Sequence, residues 1–291
     1  RALADIDCAD EAAPGHPVAI EFLFNWLALH ATDLPVRAIG HRLADDGGVF
    51  GGAACVDAAR LARLAALETL DASTRYGLSL VRLLARRTPW LPQIACFDSA
   101  FHAVMPKVAR TFDASTRPPE AVVYRHGLAY EDLVVQFARC DERSARGRTV
   151  AVHVHSSLAL CAIAAGRSIA ATPDFRRRPR RVDLARRDGP LVRAGEGDDF
   201  RYRIRREIGS LVAALEGVDA IAFAVTDAFG GARLSAEVLR QAAWLGVEAD
   251  PAGLEGPRLS RPDSPVAAYL ITVDPARAVA LRGLCGRRRP G

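Results

Sequence analysis

An α/β fold is predicted by the alternation of two apolar patterns along the sequence. Short apolar runs that are typical of buried strands, such as residues 93–99 and 218–225, alternate with segments in which apolar residues recur at helical spacing, such as 57–70 and 201–216. This alternation is typical of sheets that are covered by helices. Half of the 291 residues are hydrophobic, which is enough for one large domain or two medium-sized domains.

The same patterns place each element in chain order. The first helix is expected to have Pro17 in its first turn, where proline is well tolerated. Helices are expected at residues 17–31, 57–70, 74–87, 201–216 and 232–245, and from Ala100 and Pro275 onward. Strands are expected at residues 36–43, 93–99, 148–155, 158–172 with a hinge at Ala165 and Gly166, 218–225 and 267–273. Residues 173–199 have no clean period and are expected to form a loop or lid.

Composition favours a cytoplasmic protein. The six cysteines lie far apart without a Cys-x-x-Cys pair, which argues against a disulfide framework or a zinc site and indicates a reducing compartment. No apolar stretch is long enough to span a bilayer, so we expect no membrane partner. The opening residues 1–17 are acidic and lack the basic and apolar regions of a signal peptide.

Positive charge is concentrated in one arginine-rich segment, residues 175–188, of a chain whose formal net charge is +5. A solvated loop is one interpretation of this segment, and an anion-binding segment is another, because guanidinium groups match the geometry of phosphate. Nucleic acid binding is a third. No aromatic residue other than Phe175 interleaves with the arginines, so we do not expect nucleic acid as a partner.

Several polar residues lie at or just past the ends of predicted strands. Ligands of open α/β sheets bind beyond the carboxyl ends of the strands. Residues with this placement are Arg42, Asp98, His153, His155 and Asp227. Their shared position indicates a polar binding site at the strand ends.

Each of these residues also has a structural alternative. Asp98 or Ser99 could cap the helix that follows, since a side-chain oxygen there accepts an unpaired backbone N–H. Arg42 could serve as an ion-pair partner alone. His126 could lie in a cap region at the start of a helix without a further role. The sequence leaves these alternatives open.

His153 and His155 are two residues apart on a predicted strand, so they share one face while Val152 and Val154 occupy the other. A metal pair would need a third ligand, which is not evident, and hydrogen-bonded, half-buried histidines are the alternative. The glycine-rich motifs that cradle phosphate do not occur in the sequence. Residues 228–233, a turn between a strand and a helix, are the nearest candidate for an anion site.

Five stretches, in collinear order, resemble motifs of the acetate kinase family. The most specific is PQIACFDSAFHAVMP at residues 92–106, which resembles the family's PQVAVFDTAFHQTMP. The others are AIGHRLADDGG at 38–48, VVYRHGLAYEDLV at 122–134, VAVHVHSSLALCAIAAGRSI at 150–169 and RYRIRREIGSLVAALEGVDAIAF at 201–223. The resemblance covers most of residues 16–283 in one order, which chance matches would not do.

This resemblance implies two ribonuclease-H-like domains of the actin-like ATPase class, with a cleft between them. The first lobe would comprise residues 1–99 and 232–291, and the second residues 100–231 with a lid-like loop at 173–199. The implied activity is transfer of the γ-phosphoryl group of ATP to a short-chain carboxylate such as acetate or propionate, with Mg²⁺. A homodimer is implied as well.

The resemblance also implies roles for individual residues. Asp98, His126 and Arg186 match catalytic positions. Arg42 matches the arginine that holds the carboxylate or the phosphoryl group, and its pocket would be lined by Ala44 and Leu67. Contacts to the nucleotide or to phosphate are expected from His153, His155, Ser156, Asp227 and Gly230. The metal ligands are not identified.

Several motifs depart from the family pattern on the nucleotide side. The family's opening strand with its NxGSSSxK loop has no counterpart in the sequence, HLGNGAS is replaced by HVHSSLA, and GIGENS is replaced by TDAFGG. Side chains in place of glycine obstruct the close approach of backbone N–H groups to phosphate. The alternative to an active kinase is therefore a catalytically dead relative that binds a small anion or a protein.

Overall fold

The computed structural model describes residues 15–33, 35–65, 72–114, 124–154, 158–172, 196–226, 231–250 and 257–285. Its strands are β1 (Ile39–Leu43), β2 (Ala54–Cys55), β3 (Gln93–Phe97), β4 (Arg148–Val154), β5 (Leu158–Ala164), β6 (Arg167–Ala171), β7 (Ala220–Val225) and β8 (Ala267–Thr272). Its helices are α1 (Gly15–His30), α2 (Ala58–Ala65), α3 (Ala72–Arg87), α4 (Ser99–His102), α5 (Lys107–Ala114), α6 (Gly127–Cys140), α7 (Glu142–Arg146), α8 (Glu196–Ala214), α9 (Gly231–Ala242) and α10 (Pro275–Cys285). No helix in these ranges has both the length and the hydropathy of a membrane-spanning segment.

The strands form two sheets. In the three-stranded sheet, with the order β1-β3-β2, β1 and β3 are parallel and the short β2 is antiparallel to β3. The five-stranded sheet has the order β6-β5-β4-β7-β8. Strands β4, β5 and β6 are antiparallel neighbours, whereas β4, β7 and β8 run parallel. In each sheet, the carboxyl ends of the parallel strands therefore meet at one edge.

Helices cover both faces of the five-stranded sheet, which is why its central strands read as continuous apolar runs. One face, which includes Val150, Val152 and Val154 of β4, packs against α8 and α9. The opposite face, which includes Ala151, packs against α6. Because side chains alternate along a strand, His153 lies on the same face as Ala151, toward α6.

The predicted alternation of strands and helices is confirmed, with shifted boundaries. The hinge predicted in the run 158–172 is a turn in which Ala165 and Gly166 have φ angles of 49° and 74°. Strand β2 was not predicted, because two residues are too few to show a period. The helix expected from Ala100 is the single turn α4. Most of the expected lid lies outside the described residues, and α8 begins within its last part.

The C-terminal part of the chain contacts both sheets. The sequence assigns residues 232–291 to the first lobe, and β8 within this range is hydrogen-bonded to β7 in the five-stranded sheet. Helix α10, in contrast, returns to the three-stranded sheet. There Val279 packs so closely on β1 that a Cβ added to Gly40 would lie 2.3 Å from its Cγ1. The lobe boundaries stay predictions.

Two ion pairs join α6 to α10. The fully buried side chain of Asp132 accepts hydrogen bonds from Nε and Nη2 of Arg277 at 2.9 and 2.8 Å, and from the backbone N–H of Asp274 at 2.7 Å. Glu131 pairs with Arg282. These donors offset the cost of burying the carboxylate of Asp132. Since α6 packs against the five-stranded sheet and α10 against β1, the pairs connect the two sheets.

Arg277→Leu is expected to lower the free energy of unfolding by about 3 kcal/mol, because the buried carboxylate of Asp132 loses its guanidinium. Leucine and arginine have similar helix propensities, so the change isolates the ion pair. Urea unfolding followed by circular dichroism measures the effect. The control is Arg146→Leu, which removes an exposed pair with Glu142 and should cost less than about 1 kcal/mol. Equal losses in both variants would contradict the structural role of the buried pair.

Candidate functional site

The parallel pairing of β1 and β3 brings Arg42 beside Asp98. Arg42 precedes the last residue of β1, and Asp98 directly follows β3. Oδ2 of Asp98 accepts from Nε of Arg42 at 3.1 Å and from Nη2 at 2.9 Å. The side chain of Asp98 is 6% exposed and that of Arg42 is 42% exposed. A buried carboxylate thus orients a guanidinium group that remains partly open to solvent.

The second oxygen of Asp98 binds a different helix. Oδ1 accepts from the backbone N–H of Leu128, in the first turn of α6, at 3.1 Å. Asp98 makes no side-chain capping bond to α4, and Ser99 directs its hydroxyl to Asp46 instead. The helix-capping alternative for Asp98 and Ser99 is therefore wrong, since these side chains bind other elements.

The start of α6 has an unusual backbone conformation. His126 has φ 66° and ψ 14°, in the left-handed region that residues other than glycine adopt rarely, at a cost of about 1–3 kcal/mol. A Cβ added to Gly127 would lie 1.8 Å from the carbonyl oxygen of Asp98. Only glycine permits this approach. Gly127, the residue that follows His126, therefore packs directly on the backbone of Asp98.

His126 stacks on His153 of the five-stranded sheet. The ring centroids are 4.4 Å apart, with an interplanar angle of 29°. His126 is 9% and His153 is 2% exposed, and the ring of Tyr130 makes an edge contact with His153 at 6.1 Å. Because Asp98 binds the first turn of α6 and His126 directly precedes that helix, the Arg42–Asp98 pair and the His126–His153 stack both lie at the start of α6.

His102 also lies next to the start of α6 and was not among the predicted site residues. It is 2% exposed, its Nδ1 lies 2.9 Å from Oγ of Ser168, and its Nε2 lies 3.3 Å from the carbonyl oxygen of Arg125. Burial lowers the pKa of His102 to about 4, against the smaller opposing effects of the Arg125 bond and the charge of Asp98. A spacing of four residues from Asp98 is the sequence signal that could have identified it.

Of the other predicted site residues, the structure describes only Ala44. Ala44 is buried next to the pair, and its carbonyl oxygen accepts from the backbone N–H of Ser99 at 3.1 Å. The predicted positions that lie outside the described residues are Leu67, His155, Ser156, Arg186, Asp227 and Gly230. Within the described ranges, no group of three or more His, Cys, Asp or Glu side chains could hold a metal ion.

Solved structures share this architecture. An acetate kinase from Entamoeba histolytica superposes with a TM-score of 0.76 at 18% identity, covering 92% of this chain and 85% of that structure. A propionate kinase from Francisella tularensis has a TM-score of 0.71 at 16% identity, covering 91% and 83%. The fold is therefore the two-domain, actin-like fold.

Sequence comparison narrows this class further. The profile of the Acetokinase family matches residues 6–175. The acetate kinase of Rhodopseudomonas palustris strain CGA009 is 32% identical over 315 aligned residues, covering 89% of this chain and 79% of that protein. The acetate kinase of Rhizobium meliloti is 28% identical, covering 91% and 80%. The chain belongs to the acetate kinase family.

Acidification from pH 7 to pH 4.5 is expected to lower the free energy of unfolding. The imidazole of His102 takes up a proton near pH 6.5 in the unfolded chain but only near pH 4 in the fold, so protonation favours unfolding between these values. The stability that neutral His102 contributes is therefore fully present above pH 6.5 and is lost as the pH falls toward 4. The expected loss in the free energy of unfolding is about 2–3 kcal/mol.

Urea unfolding of the wild type and of His102→Gln at several pH values measures this effect. The variant should lose less stability than the wild type in the same window. Some pH dependence should remain, because burial also lowers the pKa of His41. Identical slopes for the two proteins would show that His102 is not buried in its neutral form.

Proposed function

We propose that the chain transfers the γ-phosphoryl group of ATP to the carboxylate of a short-chain acid such as acetate or propionate, giving an acyl phosphate. Membership of the acetate kinase family supports this activity. The observation that carries the proposal is the pair of a half-exposed Arg42 and a buried Asp98 at the ends of two parallel strands. An arginine held in this way presents its remaining N–H donors to an anion.

Arg42 would hold the carboxylate of the acid or the phosphoryl group in transfer. Both bonds to Asp98 come from Nε and Nη2, and Nη1 has no acceptor among the residues that the structure describes. A planar guanidinium matches carboxylate and phosphate geometry, and its hydrogen bonds to them are charge-assisted. Asp98 fixes its direction. Phosphoryl transfer depends mainly on such positioning and on neutralising charge on the equatorial oxygens.

His126 and His153 would contact the reacting group on the side opposite Arg42. Their stacked rings lie between α6 and the carboxyl ends of β4 and β7. Ring N–H donors that are fixed before the reaction stabilise developing charge without reorganisation. Thr226 directly follows β7, and its buried hydroxyl has no hydrogen-bond partner in the described ranges. A phosphate oxygen at this strand end would satisfy it.

The family implies ATP and a divalent metal ion as further components. The described residues do not form a metal site, so no step is assigned to the ion. Nucleotide contacts from His155, Ser156, Asp227 and Gly230 remain proposals from the resemblance. The same holds for Arg186 as a catalytic residue and for Leu67 and Ala44 as lining of the acid pocket.

A cytoplasmic location and a homodimer are further proposals. Cys55, Cys96, Cys140 and Cys161 are free thiols, which supports a reducing compartment. The homodimer rests on the family resemblance alone.

Asp98→Asn is expected to lower kcat for acyl phosphate formation by about 10²–10³-fold, the effect of losing one preorganised group at a charged transition state. Acyl phosphate is trapped as the hydroxamate in the presence of ATP, Mg²⁺ and acetate or propionate. The control is Asp57→Asn, since Asp57 also pairs with an arginine, Arg60 at 2.7 Å, but is 52% exposed at the start of α2. The control should keep the wild-type rate.

Two outcomes would contradict parts of this proposal. An unchanged rate in Asp98→Asn would contradict the assignment of Asp98 to the site but not the kinase activity itself. A wild-type protein that forms no acyl phosphate with either acid, yet is stabilised against heat by acetate or ATP, would instead support the non-catalytic, anion-binding alternative.

A further inference from the structure

Asp98 and His102 contact the same short segment from one side. Asp98 directly precedes α4 and His102 is its last residue, and this spacing of four residues places the two side chains on one helical face. Asp98 binds the backbone N–H of Leu128, and His102 binds the carbonyl oxygen of Arg125. The two bonds therefore bracket His126 in the chain, one before it and one after it.

The hydrogen bonds define the tautomer of His102. A carbonyl oxygen can only accept, so Nε2 must carry the proton that is donated to Arg125. Nδ1 then accepts from the hydroxyl of Ser168, which is completely buried on β6. The oxygen of Ser168 lies 3.4 Å from Sγ of Cys161 on β5, so that thiol can donate in turn. The imidazole thus connects the five-stranded sheet to the segment before His126.

His126 needs such support because its backbone is in the left-handed region. Unfavourable conformations of this kind persist only where the surrounding contacts over-determine them. If the turn relaxed, the ring of His126 would move away from His153 and from the Arg42–Asp98 pair. The bond from His102 to Arg125 opposes this movement before His126, whereas the bond of Asp98 to Leu128 opposes it after His126.

We propose that His102 is a positioning residue that holds the turn at His126, with Asp98 and His102 acting as a two-point clamp. The catalytic consequence rests on the proposed function, since it requires His126 to contact the reacting group. The clamp itself requires a particular tautomer of His102 and a fixed position of the His126 ring. Both can be measured in the absence of catalysis.

Three variants separate the bonds of His102 from its volume. Its ring also contacts Phe101, Tyr124 and Tyr130, so His102→Phe fills the space without either hydrogen bond. His102→Gln places an amide N–H near the Nε2 position and can still donate to Arg125. His102→Asn places its amide near Nδ1 and can reach only Ser168. The clamp predicts that Gln retains function and that Asn and Phe lose it.

The first measurement is steady-state kinetics of the full chain. His102→Phe and His102→Asn should lower kcat by about 10²-fold, the effect of a misplacement near 1 Å, with little change in KM for the acid. His102→Gln should recover most of this loss. The matched control is His30→Gln, an exposed histidine whose Nδ1 lies 3.0 Å from the carbonyl oxygen of Trp26, which should match the wild type. Equal rates in the Gln, Asn and Phe variants would overturn the proposal.

The second measurement is ring ¹⁵N NMR of the uniformly labelled chain at pH 7. The clamp predicts a neutral His102 protonated at Nε2, and His126 ring signals that move in the Phe variant but not in the Gln variant. Should the Phe variant not fold, Ser168→Ala removes the donor to Nδ1 and should shift the His102 signals instead. A His102 protonated at Nδ1, or His126 signals that are the same in all variants, would overturn the clamp. A correct tautomer in a chain without turnover would refute the proposed function alone.

Discussion

The buried carboxylate of Asp98 is the point at which β1, β3 and α6 are held together. One oxygen accepts two N–H groups of Arg42 and the other accepts the backbone N–H of Leu128, so three hydrogen bonds compensate its loss of water. Removing any of these donors would leave a buried charge less satisfied. The hydrogen bonds that allow Asp98 to be buried therefore also fix the orientation of Arg42.

Helix α6 carries this constraint from one sheet to the other. Its first turn is tied to Asp98, while Ala129, Leu133 and Phe137 pack against the five-stranded sheet. Helix α10 then returns to β1 and is joined to α6 through the buried Asp132. The bond to Asp98 and the ion pair to α10 both involve α6. The position of His126, at the start of α6, therefore depends on contacts that lie mostly outside the site. Rigid elements of this kind are what preorganised catalysis requires.

The sequence predicted the parts of the structure that have a local signal. Apolar runs identified β3 and β7, and the polar residues at or just past strand ends identified Arg42 and Asp98, because strand ends meet at sheet edges in any parallel pair. It did not predict that β8 joins β7, since strand pairing is a long-range property. His102 was missed for the same reason. Its partners, Arg125 and Ser168, are 23 and 66 residues away and are a backbone carbonyl and a small hydroxyl, so the spacing of four residues from Asp98 is its one local signal.

The departures from the family motifs and the Arg42–Asp98 pair belong to different parts of the fold. Arg42 and Asp98 are fixed by the three-stranded sheet, whereas the replaced glycine motifs at residues 155–157 and 227–230 follow β4 and β7 of the five-stranded sheet. Substitutions after β4 or β7 do not alter the pairing of β1 with β3, so the proposed acid-binding pair Arg42–Asp98 can persist while the motifs after β4 and β7 change. The stacked rings of His126 and His153, together with the bond of His102 to Ser168, join the segment at the start of α6 to the five-stranded sheet. These contacts are where a change after β4 could be transmitted toward the Arg42–Asp98 pair.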